Sequence, residues 1–280
     1  MSFQTAYRFP TTQQQWIDLQ VGSTRLVGGQ PFFATKYNYA GNPLYKATSD
    51  INGDFVVGNT AFTPTALKPE SLSSFEIGYK GLVANDKLLI DAYYYNGKYK
   101  DFLARQNTFQ SLNGLGKTAD SVQFEDKRRG ISVPVNAPDK VTSGGFGISL
   151  DYRLPKNFTF GVNLSSDVLG NVPADFTAYF NAPKYKTNLS LGNNAFGFQK
   201  RFGASVTYRW QQGFYYQGDF ANGNLQDVNN VDAQFSFKLP ATKSVIKLGA
   251  NNLLNQYYYN GIGNSQVGGL YYLSFGYNIY

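Results

Sequence analysis

The 280-residue chain contains no cysteine and no histidine. Disulfides are therefore excluded. Without an imidazole there is no Ser-His-Asp triad and no histidine general base. Without either residue the ordinary zinc, haem and iron–sulfur sites cannot be built. No cofactor, no metal site and no enzymatic activity are expected. Charge is also scarce, at 15% of residues against roughly 25% in a typical soluble domain. No apolar run approaches the ~18 residues that a transmembrane helix needs. The first residues, MSFQTAYRF, have neither the basic nor the apolar segment of a signal peptide. Helix signals are almost missing.

Aromatic residues and glycine are abundant: 22 Tyr, 23 Phe and 29 Gly. The net charge is +7, but its lysines and arginines are dispersed. The one dense cluster, Lys127, Arg128 and Arg129, adjoins Glu125 and Asp126. With no basic stripe and no nucleic-acid-binding motif, nucleic acid is not an expected partner.

Alternation with period two runs through the chain. Phe146, Ile148, Leu150 and Tyr152 alternate with Gly147, Ser149, Asp151 and Arg153. Phe202, Ala204, Val206, Tyr208 and Trp210 alternate with Gly203, Ser205, Thr207 and Arg209. Such runs predict ten strands, at about 1–8, 73–83, 87–105, 141–154, 157–167, 185–193, 198–212, 229–239, 244–254 and 270–280. Short turns such as Pro155-Lys156-Asn157 alternate with long polar connections at about 9–72, 106–140, 168–184, 213–229 and 255–269. No domain boundary and no fixed-period repeat is visible.

Alternation alone does not say which face is wet. In a soluble sandwich the apolar face is core; in a membrane barrel it meets lipid. Three features favour the barrel. None of the apolar-face positions is charged, where a cation at mid-membrane would cost ~2–4 kcal/mol. The other face mixes Gly, Ser and Asn with Glu76, Lys80, Asp91, Asp151, Arg153, Arg209, Asp232, Lys238 and Lys247, as a hydrated lumen would. Short and long connections alternate strictly, as between two unlike rims. The expected fold is an all-β, transmembrane, antiparallel up-and-down β-barrel. The aromatic groups Tyr93-Tyr94-Tyr95, Trp210, Phe214-Tyr215-Tyr216 and Tyr257-Tyr258-Tyr259 then read as an outer girdle. Lys127, Arg128 and Arg129 are candidates for an anionic ligand, and Trp16, Tyr215 and Tyr216 for stacking on a ring. The bland alternatives are a solvated loop and generic wall polarity. A secreted carbohydrate-binding β-sandwich and a small, self-closing passive porin are the competing readings; the porin requires residues 1–8 to pair with 270–280.

Two longer stretches, LKPESLSSFEIGYKGL (67–82) and KLGANNLLNQYYYNGIGNSQVGGLYYLSFGYNIY (247–280), resemble motifs of TonB-dependent outer-membrane receptors. FNAPKYKTNLSLG (180–192) fits the same pattern. That resemblance implies a Gram-negative outer-membrane location and a plugged barrel of about twenty-two strands. It implies a role in active import of a scarce, bulky nutrient: a siderophore, cobalamin or glycan. Implied partners are outer-membrane lipid, an extracellular small ligand, the barrel-assembly machinery and TonB, the last only through an N-terminal plug. Tyr280, a terminal aromatic, would be the assembly signal. No plug, TonB box or signal peptide is found, so the chain is expected to be the C-terminal part of such a barrel.

Overall fold

A strand whose apolar residues all fall on one parity buries that face or gives it to an apolar solvent. In the computed structural model, which describes residues 1–49, 55–112, 119–219 and 221–277, the second outcome holds. Ten strands form one antiparallel sheet in which each pairs only with its neighbours in that order. They are Ser2–Arg8, Glu70–Val83, Leu88–Lys100, Val141–Arg153, Phe158–Gly170, Tyr185–Phe196, Phe202–Gln211, Val228–Leu239, Ser244–Asn251 and Leu270–Tyr277. Register places like with like across the wall. Leu191 lies opposite Phe160 and Val206. Leu248 lies opposite Phe235 and Leu273. These side chains are uncovered: Leu273 is 75% exposed and Leu248 60%. An apolar belt of that extent is at home in hydrocarbon, not in water.

Four short turns join the strands at one rim. They reverse tightly through left-handed residues: Ala84, Asn85 and Asp86 all have φ between 54° and 58°, the geometry of primed hairpin turns. The long connections all lie at the opposite rim. Among the described residues Ser2–Arg8 and Leu270–Tyr277 do not pair with each other, so the sheet is open. The self-closing porin lacks its required contact. Tyr280 lies outside the described residues, as do the last three positions of the expected final strand.

The long connections are not the loops that alternation predicts. Segments 9–72, 106–140 and 168–184 contribute to a second, seven-stranded sheet. Its main path runs Asp18–Val21, Thr24–Val27, Arg128–Asn136, Leu103–Ser111, Leu44–Ser49, Phe55–Phe62, and Phe176–Thr177 pairs with Leu103–Ser111. The expected strand 87–105 is therefore two. Asp101, at φ 54°, ends the wall strand, and Leu103 begins a rim strand. The central ones, Leu103–Ser111 and Arg128–Asn136, escape a period-two reading because both faces are covered. In Leu103–Ser111, Gln106, Thr108 and Gln110 are as buried as Leu103 and Ala104. Polar residues on a buried strand erase the contrast that the reading depends on.

The buried apolar clusters lie here, at the rim and its junction with the wall. One packs Val27, Phe33, Leu44, Ile131 and Val133; another packs Tyr45, Val57, Phe109 and Val122. Residues of the 67–82 motif tie the rim sheet to the wall. Glu70, 5% exposed, accepts Arg8 Nη2 at 2.8 Å, Arg8 Nε at 3.2 Å and the Leu103 amide at 2.8 Å. The Lys68 amide donates to Asn136 Oδ1 at 2.8 Å, and Asn136 Nδ2 returns a bond to the Lys68 carbonyl at 3.0 Å.

Candidate functional site at the rim

The rim sheet positions a cleft of about 270 Å³ where four separate long connections meet. The first supplies the Val21–Thr24 turn, which reverses through Gly22 at φ 55°. The second supplies one face of the rim strands, with Asn107, Gly130 and Ser132. Thr177 and Tyr179 come from the third, and Asp219 and Asn222 from the fourth. That fourth connection is a hairpin, Phe214–Tyr216 against Gly223–Leu225. It is fastened to the third. Gln217 Oε1 accepts the amides of Ala178 and Tyr179 at 3.2 and 3.0 Å, and Asn181 exchanges two bonds with the Gln217 backbone, at 2.7 and 2.8 Å. Tyr179 donates its hydroxyl to Asp219 Oδ1 at 2.5 Å. Burial, reinforced by that bond, pushes the Tyr179 hydroxyl well above the ordinary tyrosine range. Tyr179 sits at φ 55°, a conformation few non-glycine residues adopt. Residues held in this way are over-determined by their surroundings and cluster at ligand clamps.

Behind the cleft, Arg105 is buried without a carboxylate partner among the described residues. Its guanidinium donates to the Ser132 carbonyl at 2.6 Å, Ser132 Oγ at 3.2 Å and the Val27 carbonyl at 3.4 Å, crossing three rim strands. Burial lowers its pKa from the usual arginine value, which still leaves a cation at neutral pH. The cleft itself offers hydroxyls, amides and one carboxylate. It suits a polar, hydrogen-bonding ligand. No cluster of metal-binding side chains occurs among the described residues.

A second cleft, about 330 Å³, is lined by Lys36, Tyr37, Asn42 and Arg129 among others. Asp18 organises its edge, accepting Arg25 and Lys36 at 2.5 Å each and the Tyr37 hydroxyl at 2.7 Å. Burial works to raise the Asp18 pKa, but the bonds from Arg25, Lys36 and Tyr37 outweigh it and hold the carboxyl well below the usual range.

The residues picked out from sequence are distributed differently. None of Trp16, Lys127, Arg128, Arg129, Tyr215 and Tyr216 lines the first cleft. Arg129 lines the second, bonded to Gln110 Oε1 with its charge 5.5 Å from the Tyr37 ring. Arg128 lies over Phe109 at 4.0 Å and reaches the Val122 and Gln123 carbonyls; Lys127 lies over Phe124 at 4.8 Å. Trp16 ends the short Thr12–Trp16 helix and is exposed. Tyr215 is exposed on the hairpin, while Tyr216 packs toward Gly218 and Gly261. The wall residues Glu76, Lys80, Asp91, Asp151, Arg153, Arg209, Asp232, Lys238 and Lys247 share one face, opposite the apolar belt. Lys80 pairs with Asp91 at 2.7 Å, Arg209 with Asp232 at 2.6 Å, and Lys238 donates to the Asn194 carbonyl at 2.6 Å. Tyr93 and Tyr95 also take the polar face, over Gly147 and Gly145, so only Tyr94 of that triplet lies on the apolar face.

Cleft residues such as Asn107, Ser132, Thr177, Tyr179 and Asp219 carry no local sequence signal. They are ordinary polar residues in separate connections, and only the tertiary fold assembles them.

Comparison with known proteins adds the family. A family model described as TonB dependent receptor-like, beta-barrel matches residues 1–253. No curated protein sequence matches. Solved structures with a similar fold include the copper transporter OprC, at 15% identity and a TM-score of 0.52, covering 75% of this chain and 30% of that one. The FrpB iron transporter from Neisseria meningitidis (F3-3 variant) has 18% identity, a TM-score of 0.53 and coverage of 75% and 30%. The pyoverdine receptor FpvA from Pseudomonas aeruginosa PAO1 has 14% identity, a TM-score of 0.55 and coverage of 78% and 31%. The chain thus spans about a third of the length of these proteins.

Proposed function

This chain belongs to the TonB-dependent receptor β-barrel family of the Gram-negative outer membrane, and from that premise we propose that it forms wall and ligand-capturing rim of an active importer. Members of the family are transporters that bind extracellular ligands and engage TonB. The cargo in this reading is a scarce, bulky nutrient of the siderophore, cobalamin or glycan class. The observation that carries it is the convergence of four long connections on one polar cleft, at the rim opposite the short turns.

The ten strands act as part of a larger barrel. A strand edge in hydrocarbon leaves backbone amides and carbonyls without partners, at several kcal/mol each. Both edges of the open sheet are then covered by further strands of the same barrel, and the polar face looks onto a plug. Energy coupling through TonB belongs to that plug, and insertion to the barrel-assembly machinery. In capture, Asp219 and the amides of Asn107 and Asn222 hold polar groups of the ligand while the fastened hairpin limits its escape.

The test is uptake in cells lacking other receptors, with ferric chelates, cobalamin and oligosaccharides as probes. Residues 1–280 alone transport none of them, whereas the receptor containing them transports one. Ligand-dependent uptake by residues 1–280 alone overturns the reading.

A further inference from the structure

A groove on the lipid-facing side of the wall, beside the short turns, has no part in ligand capture. Its origin is a register break. Strand Tyr185–Phe196 follows Phe202–Gln211 in step as far as Asn193 opposite Ala204, then resumes only at Phe196 opposite Phe202. A bulge of this kind interrupts the ladder and bends the strand. It opens a groove of about 310 Å³ lined by Phe158, Leu191, Phe196, Ala204 and Val206. Asn193 holds the shape: its Nδ2 donates to the Lys156 carbonyl at 2.9 Å and its Oδ1 accepts the Ala195 amide at 3.0 Å. Phe196 packs on Phe202 at 6.0 Å, and Phe202 on Phe235 and Phe237.

The short turns next to this groove carry cations. The turn tied to Asn193 carries Lys156, and the turn that follows Phe196 carries Lys200 and Arg201. The guanidinium of Arg201 lies 6.0 Å from the ring of Phe198, which is 72% exposed. Arg201 Nε is buried and has no hydrogen-bond partner among the described residues. Among the described residues no carboxylate pairs with any of the three cations. The four short turns together hold Lys87, Lys156, Lys200, Arg201 and Lys243 against a single acid, Asp86. An apolar trough beside Lys156, Lys200 and Arg201, which have no carboxylate partner among the described residues, has the chemistry of one occupant, an anionic phospholipid.

We propose that this groove is a specific phospholipid site. An acyl chain lies along Leu191, Phe196 and Val206, and the headgroup phosphate meets Lys156, Lys200 and Arg201. Arg201, partly exposed beside the Phe198 ring, adds the charge of its guanidinium.

The test places the protein, within the full barrel that contains it, in phosphatidylcholine bilayers holding trace spin-labelled phosphatidylglycerol or phosphatidylcholine. Motionally restricted label reports residence at the protein surface. Phosphatidylglycerol is expected to be held with a roughly fivefold preference per engaged cation at low salt, falling as salt is added. The Lys156→Gln/Lys200→Gln variant, which alters only exposed turn side chains, loses most of that preference; adding Arg201→Gln removes the rest. Phe196→Ala reduces retention of both lipids and leaves the headgroup preference. Lys36→Gln at the opposite rim changes nothing. Equal retention of the two lipids by the unaltered protein overturns the proposal, and so does a preference that survives in the triple variant. Displacement of the label by a co-purifying protein assigns the groove to a protein partner and also overturns it. Neither readout depends on uptake, so it stands or falls apart from the import reading.

Discussion

Glu70 accepts three nitrogen donors, two from Arg8 and one from the Leu103 amide, at the point where the wall meets the rim sheet. Replacing it with Gln removes the charge and leaves a buried amide and a guanidinium poorly matched, which costs ~1–3 kcal/mol. Thermal unfolding followed by circular dichroism in detergent should show that loss, and Glu76→Gln on the wall's polar face should not. Asp18 makes a different prediction. Its carboxyl is held below the usual range in the folded state, so its contribution is fully present above the unfolded value of about 4 and is lost as pH falls through the folded one. Trp16 lies two residues away and one other tryptophan, Trp210, is present. In a Trp210→Phe background, Trp16 fluorescence should stay constant through neutral pH and change only on acidification below about 4. Asp18→Asn should weaken the rim at neutral pH and flatten that acid response. The motif around Glu70 stands out in the sequence, but its work does not, because Arg8 and Leu103 are partners 62 and 33 residues away.

At the scale of the strand, the wall was legible and the rim sheet was not, for the same physical reason. Wall strands separate two unlike environments, so Phe202, Ala204, Val206 and Tyr208 alternate with Gly203, Ser205 and Thr207. The central rim strands lie between like environments, so Gln106 and Gln110 are buried beside Leu103 and Ala104 and no parity emerges. Left-handed Asp101, where one apparent strand becomes two, is likewise an ordinary aspartate in the sequence. The wall makes its own prediction. Leu248 is on the apolar belt near the middle of its strand, and Ser236, opposite Lys247, is on the polar face of the next. Leu248→Lys should lower folding stability into lipid bilayers by ~2–4 kcal/mol, and Ser236→Lys by far less. Refolding titrations in urea against vesicles measure both. Equal costs would mean that the two faces do not see different solvents.

For the molecule as a whole, core packing and the candidate cleft share one rim. The buried apolar clusters and the polar cleft belong to the rim, while the wall presents an apolar belt outward. The family of the wall could be read from two motifs and from alternation; the cleft could not, since it takes residues from four connections that only folding brings together. Tyr179→Phe removes the hydroxyl that Asp219 accepts, and in the ligand-binding receptor it should weaken capture by roughly 0.5–1.5 kcal/mol without loss of the fold. Binding titration with the transported probe, alongside thermal unfolding, separates the two effects. The central claim is that ten strands form part of a larger barrel and do not close on themselves. Because the chain has no cysteine, introduced pairs can test it in outer membranes without background. Gln4→Cys with Ser74→Cys, which are register partners, should form a disulfide. Gln4→Cys with Tyr272→Cys or Ser274→Cys should not, because other strands lie between those edges. A disulfide that forms as readily between the edges as in the control pair would contradict the account and make this a self-closed barrel of ten strands.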